Sequence, residues 1–254
     1  MENRENNLNP LIYEQKRKIS SAFIDSTVRL GLAQTALLVQ DNLTECFAAL
    51  ECDGVTYRKY NAFWVFTKTK IRFYNRPSWR ETIKAVTFPV NNMGMRTHIN
   101  TAFYSEEGKL LVSANQEGCV LDFEKHRPLK LTSLPYPKEN FPEPVFESPF
   151  EKFDIPQEDY KEVYKQTVRS QHIDMSNHMN NIEYIKLALN IWTDDFLKAN
   201  DAEEIEVHYT GESKEGQELC ILKAEKDKST YVKIMEGERQ VFEMKITFSP
   251  SSQK

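Results

Sequence analysis

Glycine is scarce in this sequence, with eight in 254 residues, so little material is available for long flexible linkers. Cysteine is scarce too: Cys46, Cys52, Cys119 and Cys220 form no CxxC pair and no other metal-like spacing. No apolar run approaches the ~20 residues that span a bilayer, and the first residues, MENRENNLNP, lack the apolar stretch of a secretory leader. The expectation is a cytoplasmic protein with free thiols, without disulfides. A basic excess is also missing. The net charge of −5 and pI near 5.7 argue against general nucleic-acid binding. What remains, 40% hydrophobic and 28% charged residues, is the composition of an ordinary globular protein, long enough for one large domain or two small ones.

Proline is distributed unevenly. Six of the eleven (Pro135, Pro137, Pro142, Pro144, Pro149 and Pro156) fall in one stretch. Proline lacks an N–H and fixes φ, so residues 134–156 read as an extended connector rather than helix or central strand. The expected division is an N-terminal domain over 1–133, the connector, and a C-terminal domain over 157–254. Similar orders of elements flank it. Before it, a helix is expected from Val28 to about Leu50, with Leu32, Ala36, Leu37, Val39, Leu43 and Phe47 on a broad apolar face. Strand-like runs follow at Ala62–Tyr74, Thr82–Val90, Arg96–Tyr104, Leu110–Ala114 and Cys119–Phe123. After it come a strand at Glu162–Val168 and a helix from Ile182 to about Ala199. Strand-like runs at Ile205–Tyr209, Leu219–Ala224, Tyr231–Met235 and Val241–Phe248 complete the second half. Asp25 precedes the first helix as Asp174 precedes the second, and Arg29 follows Asp25 by four residues as His178 follows Asp174. The run Asn75–Glu81 resembles Gly211–Gln217 in placement, as a duplicated domain would produce.

The segment RSQHIDMSNHMNNIEYI, from Arg169 to Ile185, packs Asp174, Ser176, Asn177, His178, Asn180 and Asn181 ahead of an amphipathic helix. One short polar side chain suffices to cap a helix, so capping alone does not require this density. A helix start gathers free N–H donors and partial positive charge, which suits an oxyanion. A carboxylate and an imidazole beside such donors are the groups that acyl transfer uses. An over-rich cap with a structural histidine is the competing reading of the segment taken alone.

The run from Asp174 to Asn181, followed by Tyr184, resembles the D-x-N-x-H-x-N-N-x-x-Y motif of plant and bacterial acyl-acyl carrier protein (ACP) thioesterases. Further similarities are in order along the chain: Trp64-Val65-Phe66, Lys70-Ile71-Arg72-Phe73, Pro77-x-Trp79, Glu107-Gly108, Val120-Leu121-Asp122, Arg127-Pro128 and Tyr209-x-x-Glu212. The resemblance implies an α+β fold of two tandem hotdog domains, each a long central helix wrapped by a curved antiparallel sheet. It implies hydrolysis of fatty acyl-ACP to free fatty acid, without metal or other cofactor. Asp174, His178 and Glu212 carry over as catalytic residues. The family's intermediate asparagine falls at Ser176, a departure, since serine offers one short hydroxyl instead of an amide; Asn177 is the alternative donor. Ser213 stands where plant members often carry cysteine, and Cys220 is out of register, so a Cys-His nucleophile is disfavoured.

Two mechanisms stay open: water activated by Glu212 or Asp174, and direct attack by Asp174 through an anhydride. In both, His178 and backbone N–H groups at Asn180 and Asn181 would stabilise the oxyanion. The family houses the acyl chain in its N-terminal half, which makes Leu37, Val39, Leu43, Phe63 and Trp64 candidate tunnel walls. Lys68, Lys70 and Arg72 alternate on one predicted strand and, with Arg76, are candidates for docking the acidic carrier; Lys125-His126-Arg127 is a second basic cluster. The competing functions are acyl-CoA hydrolysis and non-catalytic acyl binding. Either a monomer or a homodimer is compatible with a tandem pair.

Overall fold

The computed structural model describes residues 9–251; most of the amino-terminal run read above for a leader, residues 1–8, lies outside them. The first half contains β1 (Tyr13–Lys18), α1 (Leu32–Ala49), α2 (Gly54–Arg58), β2 (Ala62–Phe73), β3 (Thr82–Pro89), β4 (Arg96–Tyr104) and β5 (Leu110–Asp122). The second contains β6 (Lys161–Thr167), α3 (Asn181–Leu189), α4 (Asp194–Ala199), β7 (Asn200–Tyr209), β8 (Glu218–Lys226), β9 (Ser229–Glu236) and β10 (Arg239–Pro250). All strands join one antiparallel sheet in the order β1-β3-β4-β5-β2-β7-β10-β9-β8-β6. Read outward from the central β2–β7 pair, the halves run β2-β5-β4-β3-β1 and β7-β10-β9-β8-β6, so the sequence repeat has a spatial counterpart. At the seam Lys70 stands opposite Glu206.

Alternation along the strands sends Ile71, Phe73, Ile205 and Val207 to the inner face, where they meet α1 and α3 in a continuous core. The opposite face carries Lys68, Lys70, Arg72, Glu204, Glu206 and His208. Residues 134–156 contain no strand or α-helix, but they are not loose. The Phe146 N–H donates to Asn100 Oδ1 at 3.0 Å and the Glu151 N–H to Glu206 Oε1 at 2.7 Å. Phe153 stacks on His208 with ring centroids 4.3 Å apart. The proline-rich segment is a strap across the polar face of the sheet.

Several elements differ from the sequence reading. α1 begins at Leu32, not Val28, because Asp25 draws the Thr27 N–H (2.8 Å) into a turn. Val28 then adopts φ +60°, and Ile24 bridges to Leu30. The expected second helix is two, α3 and α4, with Thr193 capping the second through the Phe196 N–H at 3.2 Å. The two strand runs expected within 110–123 are one strand. The polar residues between them, Asn115 to Glu117, pair with both β2 and β4, and ladder hydrogen bonds on both sides override their low apolarity. β1, an edge strand of sequence YEQKRK, and the short α2 are additional. No helix among the described residues is long and apolar enough to cross a membrane.

Candidate active site

The segment before α3 folds back on itself. Ile173 bridges to Met179, the Asp174 N–H donates to the His178 carbonyl at 3.0 Å, and the Asn177 N–H donates to the Asp174 carbonyl at 3.0 Å. Asn177 sits at φ +63°, a left-handed conformation that asparagine tolerates better than most residues. The Asp174 carboxylate Oδ1 accepts the Ser176 N–H at 2.8 Å and the Ser176 hydroxyl at 2.5 Å. Ser176 is therefore an anchor of Asp174, a contact within reach of a hydroxyl. Asn177 is exposed and lends its backbone to the turn.

A second segment meets this turn from across the sheet. The Met179 N–H donates to the Ser213 carbonyl at 2.8 Å, which brings Glu212 over the turn. His178 Nε2 and Glu212 Oε2 lie 3.1 Å apart, with the side chains 28% and 56% exposed. The site thus joins a mostly covered imidazole to a solvent-facing carboxylate. Arg239 Nη2 donates to the Glu212 carbonyl at 2.7 Å and fixes that backbone. Sequence reasoning missed Arg239, because its contact joins β10 to the β7–β8 connection and leaves no local spacing to read. A Cβ on Gly211 would come within 3.1 Å of Arg239 Nη1 and 3.2 Å of Val241 Cγ1, so glycine lets the two segments close up.

The helix start divides its donors. The Asn180 N–H is spent on the His172 carbonyl at 2.9 Å, contrary to its expected oxyanion role, because the turn needs that bond to close. The Asn180 side chain caps α3 through the Ile182 N–H at 2.9 Å. The Asn181 N–H has no acceptor among the described residues and remains available. Tyr184 is buried, stacked on Phe242 at 5.7 Å. Ser213 is fully buried, out of a substrate's reach. Cys220 lies on β8 against Glu162 at 3.2 Å, and burial, with the neighbouring Glu162, pushes its thiol up to about 11.

The first half contains a copy of this geometry with different chemistry. The Asp25 N–H donates to the Arg29 carbonyl at 2.9 Å and the Leu30 N–H to the Pro77 carbonyl at 2.7 Å. Asp25 Oδ1 accepts both Thr27 donors. Arg29 stands in the place of His178 and Arg76 in that of Glu212. Arg76 pairs with Asp25, and Arg29 reaches Asp201 of the second half at 2.6 Å. The copy is an ion network, with buried arginines and partly exposed carboxylates, that ties the halves together.

Two groups of expected residues are placed elsewhere. Lys70 is 1% exposed, ion-paired to Glu206 at 2.8 Å, and Arg76 is 5% exposed; neither is available to a docking partner. Strand alternation does put Lys68, Lys70 and Arg72 on one face, but the strap covers it: Lys68 lies over the Phe150 ring at 5.4 Å and Arg72 over Phe146 at 4.8 Å. Arg72 also pairs with Glu204 at 2.7 Å. Of the expected tunnel walls, Leu37 is 37% exposed, whereas Val39 and Leu43 are core. Trp64 packs 4.7 Å from Phe47 and 5.4 Å from Tyr57, and its indole N–H donates to the Cys52 carbonyl at 2.7 Å. Phe63 packs against Phe123 at 5.7 Å. None of these five lines the cleft of about 330 Å³ beneath the strap, or the one of about 120 Å³ beside Asp25 and Arg76. One acidic group, Glu151, Glu204 and Glu206, could offer a cation three oxygens within 4.8 Å of one another. The Lys70 ammonium already sits among them.

This arrangement, a large antiparallel sheet with helices on one face, is the fold of solved thioesterases. An acyl-ACP thioesterase from Bacteroides thetaiotaomicron superposes with a TM-score of 0.83 at 18% identity, over 94% of this chain and 98% of that one. A putative oleoyl thioesterase from Lactobacillus plantarum gives 0.78 at 18% identity, over 97% and 99%. The 12:0-ACP thioesterase from Umbellularia californica gives 0.79 at 13% identity, over 95% and 98%. More particularly, residues 155–249 match the family model of the acyl-ACP thioesterase C-terminal domain, a span that includes Asp174, His178 and Glu212. A search of curated proteins by sequence finds no match.

Proposed function

We propose that this chain is a tandem hotdog thioesterase that hydrolyses fatty acyl-ACP to free fatty acid. In this reading residues 1–133 and 157–254 are the two domains and 134–156 the strap between them. The observation that carries the reading is the 3.1 Å approach of His178 to Glu212, from separate segments, at the start of α3. A capping cluster has no need of that approach. The family match over the same residues supports it.

Glu212 takes a proton from water, and His178 orients the pair. The water oxygen adds to the thioester carbonyl, and the oxyanion meets the free Asn181 N–H at the positive end of α3. Collapse of the adduct expels the thiolate, which takes up a proton. Asp174 positions the turn rather than attacking, since Oδ1 is held by two Ser176 donors. In single-turnover reactions run in ¹⁸O-water, label in the Asp174 carboxylate would overturn that assignment. The direct test is fatty-acid release from acyl-ACP across chain lengths by the parent protein, Asp174→Ala and Glu212→Ala. Loss of a general base lowers the rate roughly 10²–10⁴-fold. Full activity in both variants would sink the site.

A further inference from the structure

The covered strip around Lys70 leaves the docking question to another surface, and one at the site's own end of the sheet has the required chemistry. β2 and β7 are antiparallel neighbours, with Lys68 opposite His208. Past that pair, in the same direction, β2 comes to Ala62 while β7 comes to Tyr209 and then the Glu212 segment. Ala62 pairs with Asp122 at the end of β5, and β5 is two strands from β7 in the sheet order. The β2 start, α2 before it and the turn after β5 therefore lie at the end of the sheet toward which the Glu212 segment runs.

These segments form a continuous surface. The Phe123 N–H donates to the Asn61 carbonyl at 2.8 Å, and the Asp122 N–H to the Arg127 carbonyl at 2.9 Å. Phe63 touches both Phe123 and His126, at 5.7 and 5.9 Å. Arg58, Lys59, Lys125, Arg127 and Lys130 are all exposed, and none has an ion-pair partner among the described residues. Of the nearby acids, Asp53 and Asp122 accept backbone N–H groups (Thr56 at 2.7 Å, Lys125 at 2.8 Å). Glu51 and Glu124 are the exposed acids beside five unpaired cations. Among the cations stand Tyr60, 50% exposed, and Phe123, 60% exposed. On a chain of net charge −5, unpaired cations around exposed aromatics, at the same end of the sheet as the Glu212 segment, suit an acidic protein delivering its cargo there.

We propose that the acidic carrier protein docks on this end of the sheet, over α2, the β2 start and the 122–130 segment. The inference rests on the reading of the chain as a hydrolase of carrier-bound acyl groups. The test is a variant with Arg58→Glu, Lys125→Glu, Arg127→Glu and Lys130→Glu, checked for an unchanged melting temperature. Equilibrium binding of carrier protein bearing its prosthetic arm but no acyl group is measured for parent and variant. KM is measured for acyl-ACP and for the same acyl group on a small thiol. The parent binds carrier and loses affinity as salt rises from 0.05 to 0.5 M, because the screening length falls through about 10 Å at 0.1 M toward about 3 Å at 1 M. The variant binds at least about tenfold more weakly, and its KM rises for acyl-ACP alone. Equal carrier affinity in parent and variant overturns the docking surface. A parent that binds carrier through these residues but hydrolyses neither thioester overturns the hydrolase reading and leaves the surface standing. If the fourfold variant unfolds, the pair Lys125→Glu and Arg127→Glu, confined to an exposed turn, carries the same comparison.

Discussion

Replacing Lys70 by methionine tests how the two halves are held at their seam. The lysine side chain is 2% exposed and faces the Glu206 carboxylate, itself 1% exposed, at 2.8 Å, with Glu204 at 3.6 Å and Glu151 at 3.8 Å. Its ammonium also donates to Ser148 Oγ at 3.1 Å and the Pro149 carbonyl at 3.0 Å. Methionine keeps the length and removes the charge, so Glu206 is left buried beside two further carboxylates. Breaking a buried pair from one side costs about 3–5 kcal/mol. In a chain of this size each kcal/mol moves the melting temperature by roughly 2–4 °C, so the expected fall is about 10 °C by calorimetry at pH 7. The difference should also depend on pH. Burial alone would raise the Glu206 pKa, but hydrogen bonds from His208 and Lys70 outweigh it and hold the group below its ordinary 4.5. A depressed carboxylate contributes stability above its unfolded pKa and loses it as pH falls through the folded value. The gap between parent and variant should therefore be widest near neutrality and shrink below about pH 4.5. Adding Glu206→Met to Lys70→Met should recover much of the loss, since an apolar pair no longer strands a charge. A Lys70→Met protein melting within 1 °C of the parent at pH 7 would refute this account of the seam.

Two further substitutions probe the first half. Trp64→Ala removes an indole packed on Phe47 and Tyr57 and orphans the Cys52 carbonyl, so urea unfolding should show a loss of about 3–5 kcal/mol; unchanged stability with a shifted acyl preference would return Trp64 to a tunnel wall. Glu117 is held at about 2, first by His98 and against burial, with Thr67 and Arg96 contributing. Its stabilisation is present above 4.5 and lost between there and about 2, so His98→Phe should start acid unfolding at higher pH, followed by circular dichroism. A Glu117 carboxyl titrating near 4.5 in the parent, seen by NMR, would contradict the contact.

Much of this protein follows from local pattern. Strand-like runs bounded by turn residues marked most of the strands, and proline density marked the strap. The crowded run from Asp174 to Asn181 marked a helix start with more polar groups than a cap uses. Local rules also explain the misses. YEQKRK reads as charged chain until β3 supplies a partner, and one Asp25 side chain is enough to move the start of α1. They do not reach across the sheet. Spacing put Lys68, Lys70 and Arg72 on one face, but that face is closed because a segment some eighty residues later lies over it. Spacing likewise could not distinguish Asp25–Arg29 from Asp174–His178, which share one backbone turn. Only the packed structure puts Arg76 over the first turn and Glu212 over the second. Side chains far apart in sequence meet only when strand pairing places them, so the chemistry of each turn was decided by its long-range partner.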